Sequence, residues 1–210
     1  MSLRVEATEV FTSWLKDLRD TVAKRRIVSH IDRIAYHGTL LGDCKSIGGA
    51  LVELRFDVGP GYRVYASLQS GALMLLLVGA TNQRNGATSP KLESSWEIGG
   101  REMLETKPWD AAEHLTSPED IAAYLSEALQ DGDPGYFQHA LGVIARAEGM
   151  SSLAASTGLN RENLYRTLSD DSNPRFQTVV RILDGLGLML DVKPAVRSSL
   201  ASARTNASIL

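Results

Sequence analysis

Ala50-Leu51-Val52-Glu53-Leu54-Arg55-Phe56, then Gly59-Pro60-Gly61, then Tyr62-Arg63-Val64-Tyr65-Ala66-Ser67-Leu68 is the stretch that decides the fold. Apolar and polar residues alternate on both sides of a glycine-proline turn, the pattern of two half-buried antiparallel strands. Gln69-Ser70-Gly71 turns the chain again, into the apolar run Ala72 to Val78, which belongs in the middle of a sheet. Before the first strand, a helix from about Asp20 carries Val22, Ile27, Ile31 and Ile34 at helical spacing, with Lys24, Arg25, Arg26 and Arg33 on its outer face, and Gly38 and Gly42 end it. Earlier still, Thr8-Glu9 opens a helix with Val10, Phe11, Trp14, Leu15 and Leu18 on one stripe, preceded by a short strand from Leu3 to Ala7. The order is β-α-α-β-β-β. An α+β unit follows, its helices packed on one face of a mostly antiparallel sheet.

Beyond the apolar run the pattern stops. Ala80-Thr81-Asn82-Gln83-Arg84-Asn85-Gly86-Ala87-Thr88-Ser89-Pro90-Lys91-Leu92-Glu93-Ser94-Ser95-Trp96 has neither helical nor strand periodicity. From Met103 a well-punctuated helical unit begins. Ser117-Pro118-Glu119-Asp120 reads as a capped helix start whose helix buries Ile121, Tyr124, Leu125, Ala128 and Leu129. Asp131-Gly132-Asp133-Pro134 breaks it and caps a second, from Gly135 to about Glu148, with Phe137, Leu141, Ile144 and Ala145 inward and Gly149 as its stop. Met150 to Thr157 and Arg161 to Leu168 are two short helices around a turn containing Gly158, with Asn160 capping the second: a helix-turn-helix. Its buried set is Leu153, Ala154, Leu159, Leu164 and Leu168. After Asn173-Pro174, a helix runs from Phe176 to Leu186, Leu188 to Val192 reads as a terminal strand, and Ala195 to Leu210 as a tail.

The domain layout is therefore 1–80, a linker over 81–107, a helix-turn-helix unit over 108–194 and a tail over 195–210. The full chain has 210 residues, room for one large domain or two small ones. A hydrophobic share of 43% and a charged share of 22% fit a water-soluble globular chain. No apolar run reaches the roughly 18 residues that would cross a bilayer. The start, Met1-Ser2-Leu3-Arg4-Val5-Glu6, lacks the build of a secretory signal, so a cytoplasmic location is expected. A lone cysteine, Cys44, allows no internal disulfide and no cysteine-cluster metal site, and His30, His37, His114 and His139 show no ligand spacing. No cofactor and no metal are expected. Residues 1–100 hold 12 Lys+Arg against 10 Asp+Glu, and residues 101–210 hold 10 against 15. A mildly basic half joined to an acidic half suggests two modules that could attract each other, though the imbalance is small.

The first half carries a resemblance. Glu9-Val10-Phe11 with Trp14-Leu15, Val52-Glu53-Leu54-Arg55 and Gly59-Pro60-Gly61-Tyr62-Arg63-Val64-Tyr65 resemble the RelE-like superfamily, specifically HigB-type addiction module killer toxins, over most of residues 4–79. The resemblance implies a small metal-free ribonuclease that cuts mRNA on the ribosome. By that analogy Arg55 and Arg63 would stabilise a scissile phosphate, and Tyr65 would stack on a base or hydrogen-bond. The alternative for all three is a solvated sheet face with an ordinary cross-strand aromatic. Lys24, Arg25 and Arg26 fall outside the analogy and read as a solvated or partner-facing surface.

Family members continue after the last apolar strand with Gly-Gly-Asp-Lys, two small polar residues, Gln and a short helix opening Asp-Ile. That ending is missing here. With permissible codons for Val78 through Trp96, reading from each third base spells Gly-Gly-Asp-Lys-Ser-Thr-Gln and, two residues later, Asp-Ile-Ala-Lys-Ala-Arg-Lys-Leu. Gly99-Gly100 can likewise encode a purine-rich ribosome-binding sequence before Met103. These readings point to a one-base frame change that joined two genes; an ordinary polar linker is the alternative, and the DNA over codons 78–103 decides. Loss of that ending implies an inactive, vestigial nuclease.

The second half resembles the XRE/Cro-like domain of HigA-type addiction module antidote proteins over nearly all of residues 103–194, on Pro108-Trp109-Asp110, Glu119-Asp120-Ile121-Ala122-Ala123-Tyr124-Leu125, Gly158-Leu159-Asn160-Arg161-Glu162-Asn163-Leu164-Tyr165 and Asn173-Pro174 with Phe176. The resemblance implies that the second helix of the motif enters the major groove. Its candidate DNA contacts are Asn160, Arg161, Glu162, Asn163, Tyr165 and Arg166, with Arg175 on phosphate. The expected function is a fused toxin-antitoxin protein: the antidote half binds operator DNA as a homodimer and neutralises the toxin half, within one chain or swapped between two. An active ribosome-dependent endoribonuclease held in check by its fused antidote is the alternative, with ribosome and mRNA as its partners. A third reading is a plain transcription factor whose first half serves only dimerisation.

Overall fold

The computed structural model describes residues 3–69, 73–81, 105–169, 172–192 and 194, with the backbone course alone for 73–80. The expected linker segment 82–104 and the tail 195–210 lie outside the described residues, and so does the proposed frame join apart from its first residues.

A strand β1, Arg4–Thr8, leads into helix α1, Glu9–Asp17, with the Thr8 hydroxyl accepting from the Phe11 N–H at 3.2 Å. Helix α2, Thr21–His37, is capped by Asp20 at one end and by left-handed Gly38 at the other. Four strands follow: β2, Cys44–Gly48; β3, Leu51–Phe56; β4, Tyr62–Gln69; and β5, Leu73–Thr81. The short strand β6, Thr106–Pro108, completes a six-stranded sheet in the order β2-β3-β4-β5-β1-β6. Among the described residues only β1 and β5 run parallel; the other pairings are antiparallel. The apolar run takes its expected central place, between β4 and β1. Val52, Leu54 and Phe56 on β3 and Val64 on β4 are buried, as are Phe11, Leu15, Ile27, Ile31 and Ile34 from the two helices. Burying each such side chain contributes about 1.5–3 kcal/mol.

Two expectations about stripes need correction. Val10 and Val22 are 59% and 60% exposed, because each sits at the first turn of its helix, outside the arc that faces the sheet. Strand β2 was not expected: its residues alternate poorly, and pairing with β3 rather than burial holds them.

The second half begins inside the sheet of the first. In β6, Thr106, Lys107 and Pro108 pair with Thr8, Ala7 and Glu6, and the Trp109 N–H donates to the Val5 carbonyl at 3.0 Å. The Thr106 hydroxyl donates to Glu6 at 2.6 Å. Pro108 is tolerated because an edge strand leaves one side without partners. The segment expected as linker over 81–107 therefore starts and finishes within strands. A short 3-10 turn, Ala111–His114, carries the chain onward.

Five helices follow: α3, Pro118–Asp131; α4, Pro134–Glu148; α5, Met150–Thr157; α6, Arg161–Thr167; and α7, Phe176–Gly185. Ser117, Asp133 and Asn160 cap α3, α4 and α6 through their side chains, as their sequence positions imply. Leu129 is exposed rather than inward, next to buried Ala128. The terminal strand expected over Leu188 to Val192 does not form: 188–192 is irregular, with Met189 and Val192 in solvent, since no described strand lies beside it to complete a ladder.

Candidate functional site

Helix α2 packs directly on α3, and charge on the two helices matches turn by turn. The Arg25 Nε lies 2.6 Å from Asp120, Arg26 Nη1 lies 3.4 Å from Glu127, and Arg33 Nη1 lies 3.4 Å from Asp131. Burial works to raise the Asp120 carboxyl, but hydrogen bonds from Arg25, Ser117 and the Thr116 N–H hold it below the ordinary range. The basic outer face of α2 is thus a partner-facing surface, occupied by the acidic half.

Beneath the ion pairs lies a buried polar hub. Asp32 is 5% exposed, accepts the Tyr124 hydroxyl at 2.6 Å and lies 3.3 Å from His139 Nε2. Nearby, the Tyr136 hydroxyl donates to the Ser29 carbonyl at 3.2 Å, and the Tyr36 ring meets those of Tyr136 and His139. Desolvation foremost, then the Asp32 charge, pushes both Tyr124 and Tyr136 up, so both phenols stay protonated as donors. Replacing one member of such a network leaves a buried group unsatisfied, which costs about 1–3 kcal/mol. At the end of α2, His37 lies 3.4 Å from Asp131 and 3.9 Å from Asp133, a juxtaposition that spacing along the chain does not reveal. Among the described residues these three bring one ring nitrogen and two carboxylates within 4.8 Å, with Arg33 already on Asp131.

Of the sheet candidates, Arg55 lines a cavity at this seam together with Arg26, Arg33, Glu127 and Asp131, whereas Arg63 and Tyr65 do not. Arg55 and Arg63 face each other directly across β3 and β4, and Tyr65 opposes Glu53. Both arginines share Glu53: its carboxylate lies 2.6 Å from the Arg55 Nε and 3.8 Å from the Arg63 Nε. The hydrogen bond to Glu53 pushes the Arg55 guanidinium up from its ordinary value. The Arg63 Nη1 also donates to the Tyr62 carbonyl at 3.0 Å. Tyr65 is only 5% exposed, so stacking on a base there requires its surroundings to move. Tyr62, in the same motif, is structural: its hydroxyl donates to Asp20 at 3.0 Å, tying the turn to the start of α2.

Helices α5 and α6 meet through the turn Gly158–Asn160, where Gly158 takes a left-handed φ of 65° that a glycine adopts without strain. Leu153, Leu164 and Leu168 anchor the pair inward, while Ala154 and Leu159 are partly buried. Buried Gln138 of α4 donates to the Thr167 carbonyl and to the Ser172 hydroxyl, fixing the end of α6. Gly185 of α7 lies so close to Thr157 that a methyl group there would collide with it. On this frame Asn160, Arg161, Glu162, Asn163, Tyr165, Arg166 and Arg175 are all exposed. The Asn160 Oδ1 caps α6 by accepting from the Glu162 N–H at 2.8 Å, so that oxygen is engaged. The Arg161 guanidinium lies over the Tyr165 ring, 5.6 Å from its centre, and Arg166 donates to the Asn163 Oδ1 at 2.7 Å. These two pairs are local and solvent-exposed, and release of either arginine costs little.

Comparison with known proteins bears on the second half. The chain is similar to two uncharacterised proteins of Haemophilus influenzae. One is 45% identical over 89 residues, 42% of this chain and 92% of the relative. The other is 40% identical over 79 residues, 38% of this chain and 78% of the relative. No solved structure matches. The family described as probable addiction module antidote protein matches residues 105–194, an interval that opens one residue before β6 and ends past α7. Through these residues the chain belongs to the family of probable addiction module antidote proteins.

Proposed function

We propose that this chain is a fused toxin-antidote protein, in which the antidote half binds operator DNA through α6 and silences a nuclease-like first half. The observation that carries the reading is the α2–α3 seam: an antidote-family unit spends its acidic helix on the basic helix of the half that precedes it. An antidote implies a toxin partner, and here that partner is residues 1–80 of the same polypeptide. The exposed row Asn160, Arg161, Glu162, Asn163, Tyr165 and Arg166 on a capped, well-anchored short helix supports major-groove reading, with Arg175 on phosphate. A homodimer on a palindromic site belongs to the reading. The apolar Phe176 and Val180, exposed one turn apart on α7, support it.

The first half is proposed to be a weakened nuclease. Arg55 and Arg63 are partly neutralised by Glu53, and Tyr65 is covered, which removes the free charge that phosphate stabilisation needs. Two assays on the full chain test the reading. Duplex DNA from upstream of the coding region should be bound by the chain and lost in Arg161→Ala/Arg166→Ala. Translating ribosomes should keep their mRNA intact even with Asp120→Lys/Glu127→Lys, which opens the seam by charge reversal. Cleavage by that variant would favour the rival, an active ribosome-dependent endoribonuclease held in check; failure to bind DNA would remove the regulator.

A further inference from the structure

One cavity of about 450 Å³ lies where α2, the loop after it, the end of β3 and α3 converge. Its first-half wall brings together Arg26, Arg33 and Arg55 with His30, and its other wall is Glu127 and Asp131 of α3. The Arg26 and Arg33 guanidinium groups, side by side on α2, are chemically suited to a phosphate oxyanion, whereas Arg55 is already held by Glu53 at 2.6 Å. The carboxylates that meet Arg26 and Arg33 do so loosely, each at 3.4 Å against the 2.7–2.9 Å usual for a charge-assisted bond. A further mark is the Arg33 Nε, a buried donor with no acceptor. Such a group costs stability unless an acceptor reaches it. His30 is held neutral, its pKa lowered to about 4 by burial first and then by the Arg33 and Arg26 charges, so it adds no charge of its own. Asp43 and Asp57 also line the space, and the carboxylate paired with Arg33 is Asp131.

We infer that this cavity is a phosphate seat and that Glu127 and Asp131 are resident competitors, standing where phosphate oxygens would stand, so that α3 closes the seat by occupying its arginines. The phosphate could be free or part of a nucleic-acid backbone; the chemistry recognised is the same. The inference requires the seam geometry and not the nuclease reading, since a chain that never cuts RNA would still show it.

The test uses the full chain carrying Arg161→Ala/Arg166→Ala, so that the outer helix adds no binding. Two probes are titrated at low salt: inorganic phosphate, followed by melting temperature, and a fluorescent single-stranded oligoribonucleotide, followed by anisotropy. Adding Glu127→Gln/Asp131→Asn should tighten binding of at least one probe about tenfold, the sum of two weak ion pairs released. Adding Arg26→Gln/Arg33→Gln should abolish that gain. A gain confined to the oligonucleotide and competed by phosphate assigns the seat to a backbone phosphodiester; a gain with phosphate alone assigns it to the free ion. No gain with either probe in a variant that keeps its circular dichroism overturns the inference, and so does a gain that survives loss of both arginines. If the double variant does not fold, Glu127→Gln alone, at the exposed pair, should tighten binding about threefold, and no change there is equally decisive.

Discussion

Arginine has two opposite fates in this molecule. On α2, Arg25, Arg26 and Arg33 are each spent on a carboxylate of another helix, above a buried hub of Asp32, Tyr124 and His139. On α6, Arg161 and Arg166 touch only neighbours of their own helix, in open solvent. Identical side chains are thus committed in one place and on offer in the other. What separates them is the acidic helix opposite. A guanidinium facing a fixed carboxylate is part of the fold, whereas one facing water is available to a ligand.

Acid should break the committed region first, and this is the largest effect expected. His30 and His114 are held neutral, with pKa values lowered to about 4: burial and the Arg33 and Arg26 charges act on His30, and burial and then Lys24, offset by Asp110, act on His114. Unfolded histidine takes up a proton near pH 6.5, so between that pH and about 4 the unfolded state binds more protons than the folded one. Stability from this source is full above pH 6.5 and is lost as pH falls toward 4. The loss is on the order of 5 kcal/mol for the pair, from about 1.4 kcal/mol per unit. Urea melts at pH 7 and pH 4.5 measure it, and His30→Gln/His114→Gln should flatten the difference.

Next in size, Arg161→Ala/Arg166→Ala should weaken duplex DNA binding about 100-fold without moving the melting temperature, as about 1–3 kcal/mol per contact implies. The reverse pattern, a stability loss with DNA binding kept, would make the α6 arginines part of the fold like those of α2. Tyr124→Phe should cost about 1–2 kcal/mol in denaturant melts by leaving Asp32 short of a donor. The smallest effect belongs to Arg25→Gln: about 0.5–1 kcal/mol, shrinking in high salt, because the pair is only partly buried.

The sequence was most readable where local chemistry decides structure. Asp20, Ser117, Asp133 and Asn160 cap helices as their positions imply, and alternation around Gly59-Pro60-Gly61 yields β3 and β4. What was hidden depends on distant partners. Nothing local marks Thr106–Pro108 as a strand, because β1, about 100 residues earlier, supplies its ladder. The apolar residues Leu188 to Val192 read as a strand, yet have no described edge to join. The candidate sites divide the same way. The α6 row was legible from Asn and Arg density around a glycine turn, while the cavity beside Arg33 exists only because α3 returns to α2.

Strand β6 has a consequence for how the two halves part. A protease cut anywhere between Thr81 and Glu105 would sever the polypeptide but leave the ladder between β6 and β1 in place. The nicked fragments should migrate as a single species on a sizing column and separate only in denaturant. A cut in that interval alone therefore leaves the first half held by the ladder.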